Sequence, residues 1–216
     1  MLAGAGAAEA DRAPDQPIDE GPARGNFPGV AEIDQRQDTS GTLGLGAVLI
    51  ALGRGVTRIL GTARDRTRLA RVKALAPSRI EVLAEGDGRP VAEWARSFTG
   101  GHGVDAVIDC LGPGSSGTLM MNAIYALRRG GRCVNVSGVG EKAAMDVHWM
   151  MDQQIEFIGS NWFPASDAQA LADMAEAGTL DLSVFEHVRV PLKEVNSALD
   201  GSLFRNGGFT NLIITP

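Results

Sequence analysis

The chain has 216 residues, 44% hydrophobic and 5% aromatic, with 28 glycines and a formal net charge of −6. That length allows one large domain or two small ones. The acidic balance argues against a nucleic-acid-binding surface, and no apolar run approaches the ~18 residues that cross a bilayer. Cys110 and Cys133 lie in apolar, strand-like runs, which reads as buried thiols in a reducing compartment rather than a disulfide or metal framework. The N-terminus MLAGAGAAEADR has neither the basic start nor the hydrophobic stretch of a secretory leader, so the cytoplasm is expected.

Residues 1–39 carry eight acidic and three basic side chains, four prolines and few large apolar residues. Such a segment does not bury enough surface to offset its ordering entropy, so a disordered acidic tail is expected there, with a domain from residue 40 to 216. Only Val30 and Ile33 are large and apolar between residues 30 and 38. A central parallel strand buried on both faces reads as a nearly continuous apolar run, so a first strand is expected to be absent or poorly formed.

The stretch SGTLGLGAVLIALGRGVTRILGTAR, residues 40–64, reads as a glycine-rich turn (Gly41, Gly44, Gly46), a helix over 43–52 and a strand over 57–62. Glycine at the start of such a helix leaves amide groups open to a diphosphate at the positive end of the helix dipole. The fingerprint G-x-G-x-x-G is incomplete, since Thr39 stands where its first glycine belongs. Beyond it, helices are predicted over 65–75, 90–98, 118–127, 147–152, 164–177 and 192–199. Strands are predicted over 79–83, 104–109, 132–136, 155–160, 188–190 and 211–214. This alternation predicts an α/β fold, a doubly wound parallel sheet with helices on both faces.

Five stretches in order, SGTLGLGAVLIALGRGV, GGHGVDAVIDCLG, ALRRGGRCVNVSGV, QQIEFIGSNW and PLKEVNSALDGSLFRNGG, resemble the medium-chain dehydrogenase/reductase superfamily. The likeness is to the nucleotide-binding half of zinc-type alcohol dehydrogenases and quinone reductases. It implies a six-stranded Rossmann sheet and a nicotinamide dinucleotide, with hydride transfer to or from an alcohol, aldehyde or quinone. The family's catalytic domain, barrel-like and largely preceding the glycine turn, has no counterpart in residues 1–39. A truncated enzyme is therefore expected, with its zinc ligands outside this chain.

The cofactor is expected against Gly41, Thr42, Leu43 and Gly44 at the turn and Thr62, Ala63 and Arg64 at the end of the second strand. Ala63 lies 19 residues after Gly44, where a carboxylate would hold the ribose of NAD; with none there and Arg64 next, NADP is favoured over NAD. A plain alternative pairs Arg64 with Asp65. By resemblance, Cys110 and Leu111, then Ser137, Gly138 and Val139, line the cofactor groove, and Arg205 approaches its phosphates; Cys110 reads equally well as a packing thiol. The resemblance also implies that the strand over 155–160 (IEFIGS) pairs with its twin in a homodimer.

Other chemistries find no support. His102, His148 and His187 have no metal-ligand spacing. The only tyrosine, Tyr125, lacks a lysine four residues on, and neither Ser116 nor Ser137 sits in G-x-S-x-G. No catalytic residue is identified, so the alternative to an oxidoreductase is a non-catalytic nucleotide-binding module or inactive fragment.

Overall fold

A computed structural model describes residues 30–35, 41–112, 114–136, 138–201 and 208–216. Six strands form one parallel sheet: β1 (Val30–Gln35), β2 (Arg58–Ala63), β3 (Ile80–Ala84), β4 (Val104–Asp109), β5 (Leu127–Asn135) and β6 (Glu156–Gly159). Their spatial order, β3-β2-β1-β4-β5-β6, is that of the doubly wound dinucleotide-binding sheet. The α/β class and parallel sheet read from the alternation are what the chain adopts.

Successive strand residues point to opposite faces, so β2 and β4 each feed two cores. Leu60 and Val107 pack on one face with Trp94, Met120, Met121 and Ile124. Those side chains come from α3 (Val91–Ser97) and α4 (Gly117–Ile124), with Trp149 of α5 (Val147–Gln153) beside them. Ile59 packs on the other face with Leu45, Val48 and Leu49 of α1 (Gly41–Gly53) and Val72 of α2 (Arg66–Leu75). Leu171 and Met174 of α6 (Ala165–Glu176) close that face. The apolar residues of α1 recur at i, i+3 and i+4, which gives it the stripe a sheet-packed helix needs. Entry into β4 depends on Gly103, whose φ is +99°, and a Cβ there would meet the Ala126 carbonyl oxygen at 2.5 Å.

Three expectations need correction. First, β1 is present, paired in parallel with β2 on one side and β4 on the other. Ladder bonds use backbone groups, so a strand flanked on both sides gains its pairing whatever its side chains. Its polar Asp34 and Gln35 fall at the carboxyl end. Second, Gly41, Thr42, Leu43 and Gly44 are the first turn of α1, not a turn before it. The segment leading into that helix, residues 36–40, lies outside the described residues, as do residues 1–29 of the expected tail. Third, α4 stops at Ile124 and β5 begins at Leu127, running through Gly130 and Gly131, which read as a loop.

The last elements form a separate two-stranded parallel ribbon. β7 (Glu186–Pro191) leads through a 3₁₀ turn and α7 (Val195–Gly201) to β8 (Thr210–Thr215). Arg71 of α2 ties the ribbon to the domain, donating to Glu186 Oε1 at 2.6 Å while its guanidinium lies 4.1 Å from the centre of the Phe209 ring.

Candidate cofactor site

Strand β1 leads outward to β2 and β3, and the chain then crosses back to β4, so the strand order reverses between β1 and β4. In doubly wound sheets ligands bind at the carboxyl ends of the strands beside that reversal. Register shows how the sequence prepares this edge. One transverse row, Val82, Gly61, Ile33, Ile108, Val134 and Ile158, is apolar except for its glycine. The next row toward the carboxyl ends is Leu83, Thr62, Asp34, Asp109, Asn135 and Gly159, and its four central members are polar. The sheet turns from hydrocarbon to polar in one step, at the edge where a ligand would sit.

Helix α1 starts at this edge, and its first turn holds no acidic residue against the positive end of its dipole. Gly44 is buried against the sheet, whereas Thr42 and Leu43 face solvent. Gly208 packs onto the peptide joining Gly41 and Thr42 so tightly that a Cβ on it would fall on the Gly41 carbonyl. The residues before β8 and the start of α1 thus share one backbone-to-backbone contact.

At the end of β2, Thr62 and Ala63 are buried and Arg64 is exposed. Asp65 is not the partner of Arg64. Its Oδ1 accepts from the backbone amides of Thr67 at 2.9 Å and Arg68 at 3.0 Å, capping α2, while its Oδ2 pairs with Arg68 Nε at 3.1 Å. A cleft of about 170 Å³ opens beside this point, lined among others by Thr62, Ala84, Glu85, Arg89, Leu119 and Asn122. All but Thr62 escaped the reading of the sequence, because they come from three elements that meet only through the crossover.

Across the reversal, Asp109 ends β4 with a fully buried side chain. Its Oδ1 accepts the Leu111 amide at 3.0 Å and its Oδ2 accepts Asn135 Nδ2 at 2.5 Å. Burial is the larger influence on this carboxyl and raises its pKa, with the two hydrogen bonds pulling the other way. Cys110 and Leu111 are fully buried, which favours packing over direct ligand contact for Cys110. At the end of β5, Gly138 is exposed with open space around its α-carbon, and Val139 packs back onto the core. Ser137 and Arg205 lie outside the described residues.

Two further features border the β4–α4 connection. Glu141 Oε1 accepts the Gly117 amide at 2.6 Å, and the Ser115 hydroxyl, in a residue 6% exposed, has no hydrogen-bond partner. The described candidates thus fall in the first turn of α1, at the end of β2 and just after β4 and β5. Residues 155–160 supply the outer strand β6, from Glu156 to Gly159, with Ile155 and Ser160 just outside it. Its Glu156 pairs with Arg132 Nη2 at 3.0 Å, so that edge carries more charge than its apolar sequence suggested.

The fit of this edge to a nicotinamide dinucleotide rests on an uncharged helix start, glycine where backbone must be approached, and an orphaned buried hydroxyl. A metal finds no such fit: among the described residues no three His, Cys, Asp or Glu side chains converge on one point. Nor is any described helix long and apolar enough to cross a membrane.

Comparison with known proteins agrees with the geometry. The family described as zinc-binding dehydrogenase matches residues 42–177. L-arabinitol 4-dehydrogenase of Hypocrea jecorina is 29% identical over 188 residues, covering 81% of this chain and 46% of its own. Among solved structures, the alcohol dehydrogenase TADH of Thermus sp. ATN1 superposes with a TM-score of 0.74 at 18% identity, over 87% of this chain and 51% of its own. An alcohol dehydrogenase of Thermotoga maritima gives 0.73 at 22% identity, over 91% and 53%. The chain thus spans about half the length of the relatives it matches. Fold, switch-point edge and family match agree: the chain belongs to the zinc-binding dehydrogenase family and carries the Rossmann-like, nucleotide-binding half of an alcohol dehydrogenase-like oxidoreductase.

Proposed function

We propose that this chain binds NADP(H), in preference to NAD(H), along the carboxyl edge of its sheet, as the nucleotide-binding part of an alcohol dehydrogenase-like oxidoreductase. The observation that carries the proposal is the start of α1, whose first turn holds no acidic residue, beside the β1/β4 reversal. Amides of the first turn would hold the diphosphate. The preference for NADP rests on Arg64, exposed at the end of β2, with the nearest carboxylate, Asp65, committed to capping α2. A guanidinium placed there would pair with a 2′-phosphate. Thr62, Ala63 and the adjoining cleft would take the adenosine end, and the loops after β4 and β5, with Leu111, Ser137, Gly138 and Val139, the other. Arg205 would add a cation toward the phosphates.

Bound nicotinamide supplies the chemistry, a hydride exchanged with an alcohol, aldehyde or quinone. The protein's part is to bind and orient it and to keep water off its face. The residues that shape a substrate pocket and move its proton would lie in the half of the relatives that this chain does not span. Cys110 and Cys133, buried and outside any disulfide, suit a cytoplasmic setting. Strand β6 would pair with a second copy; sedimentation as a monomer at micromolar concentration would count against that dimer.

Thermal unfolding of the chain with and without millimolar NADPH or NADH tests the proposal, since a ligand bound only by the folded state raises the midpoint. A larger rise with NADPH than with NADH is expected. A cooperative transition indifferent to both would refute nucleotide binding. A second reading is a module that binds nucleotide without catalysis. It predicts the same midpoint rise but no oxidation of NADPH with any aldehyde or quinone offered.

A further inference from the structure

Asp109 is a buried carboxyl without a cationic partner among the described residues, and its recorded hydrogen-bond partners are neutral amides. Such a group is costly to bury, and nothing in the packing of β4 requires it, since Ile108 and Val107 below it are apolar. Its position gives the reason. The Leu111 amide, received at 3.0 Å, bends the chain immediately after β4 and fixes the turn through Cys110. Asn135 Nδ2, received at 2.5 Å, is the last residue of β5 and leads through Val136 to Gly138. Asn135 is itself held, with its Nδ2 4.0 Å from Met120 Sδ of α4 and its carbonyl accepting the Ser160 amide at 2.8 Å. One side chain therefore grips the departure points of both loops that border the cofactor edge.

We propose that Asp109, acting through Leu111 and Asn135, is a positioning residue for the dinucleotide. It rests on the nucleotide-binding function proposed above. Asp109 touches the cofactor nowhere in this scheme; it sets the spacing of the two loops between which the nicotinamide half is received. The pairing is polar and directional, which an apolar residue of equal size does not reproduce. A reversed pair, amide on β4 and carboxylate on β5, does reproduce it, because an asparagine carbonyl at 109 still accepts the Leu111 amide.

The test is a double-mutant cycle on the full chain, read by NADPH affinity and by amide exchange at Leu111. Asn135→Asp sets two carboxyl groups against each other and is expected to weaken NADPH binding about tenfold or more. Adding Asp109→Asn to that variant restores a donor facing an acceptor, and binding should return to within about threefold of wild type. Asn135→Leu, which removes the bond to Asp109 and the weak contact with Met120 Sδ, should weaken binding about tenfold while the Leu111 amide stays protected, since its acceptor remains. Circular dichroism melts identify variants that have lost the fold; if Asn135→Asp is among them, Asn135→Leu carries the test. A wild type that binds NADPH while folded Asn135→Leu binds it equally well overturns the assignment alone, as does a reversed pair no better than Asn135→Asp. A wild type that binds neither NADPH nor NADH overturns the nucleotide function, and this assignment with it.

Discussion

Gly208→Ala tests whether the start of α1 is fixed by the residues that precede β8. A Cβ at 208 would fall on the carbonyl carbon and oxygen of Gly41 and lie 2.6 Å from the Thr42 nitrogen, all backbone atoms of the helix's first turn. Ordinary contact with such atoms needs about an ångström more, and a helix end has no rotamer through which to yield, so α1 or the lead into β8 must retreat. Overpacking of this kind costs about 1–3 kcal/mol. For a chain of this size each kcal/mol moves the midpoint by roughly 2–4 °C, so a fall of several degrees is expected by scanning calorimetry. Because the displaced atoms are those that would meet the diphosphate, the midpoint rise given by NADPH should shrink as well. Gly46→Ala is the matched control, since this residue lies inside the same helix and a Cβ there meets nothing within 4 Å. It should stabilise by about 0.5–1 kcal/mol, the usual gain of alanine over glycine in a helix. If Gly208→Ala melts at or above the wild-type midpoint, the contact between residue 208 and α1 is not what holds the helix start.

Arg64→Ser should weaken NADPH by about tenfold, the worth of one charge-assisted hydrogen bond at an exposed position, and leave NADH nearly unchanged; equal losses measured by titration calorimetry would remove Arg64 from the 2′-phosphate. Asp65→Ala deletes the acceptor of the Thr67 and Arg68 amides and should cost about 1 kcal/mol, seen as a lower midpoint without loss of the sheet's circular dichroism. Asp109→Asn addresses pH. Burial raises the pKa of Asp109 above its ordinary value of 3.8, so between that value and the elevated one the folded chain binds more protons than the unfolded chain. Its contribution is complete below that ordinary value and is lost as pH rises through the elevated one. Midpoints of Asp109→Asn, followed from about pH 4 to pH 8, should be flatter than wild type across that window; an unchanged slope would mean that another group sets it.

Much of this fold was legible because its signals are local. The run VDAVID gives β4 over the same residues, and Asp65 before a basic amphipathic stretch marks the start of α2. The pattern failed where tertiary context decides. Val30–Gln35 is too polar to read as a central strand, yet it pairs on both sides. Gly130 and Gly131 read as punctuation, and although they fall within β5 the β4 ladder skips them, pairing Val104 with Leu127 and then Ala106 with Arg132 across an irregularity. The candidates on α1 and at Ala63–Arg64 rest on spacing, which a strand–helix unit preserves in sequence. Asp109 and Asn135 were not legible that way, since they are 26 residues apart and only the parallel register sets them side by side.

That register also resolves the difficulty of β1. Asp34 counts against a buried strand when read along the chain, but across the sheet it stands in line with Thr62, Asp109 and Asn135. Polar residues at one transverse level of four adjacent strands mark a sheet edge rather than a defect in any strand. Within this row Thr62 lines the cleft, while Asp109 is fully buried and bound to the Leu111 amide and Asn135. On this account Leu60→Asp, two positions below Thr62 on β2 in a side chain fully buried in one core with Val107, should cost about 3 kcal/mol or more in a denaturant titration. A loss below about 1 kcal/mol would mean that the apolar core does not reach this level of the sheet.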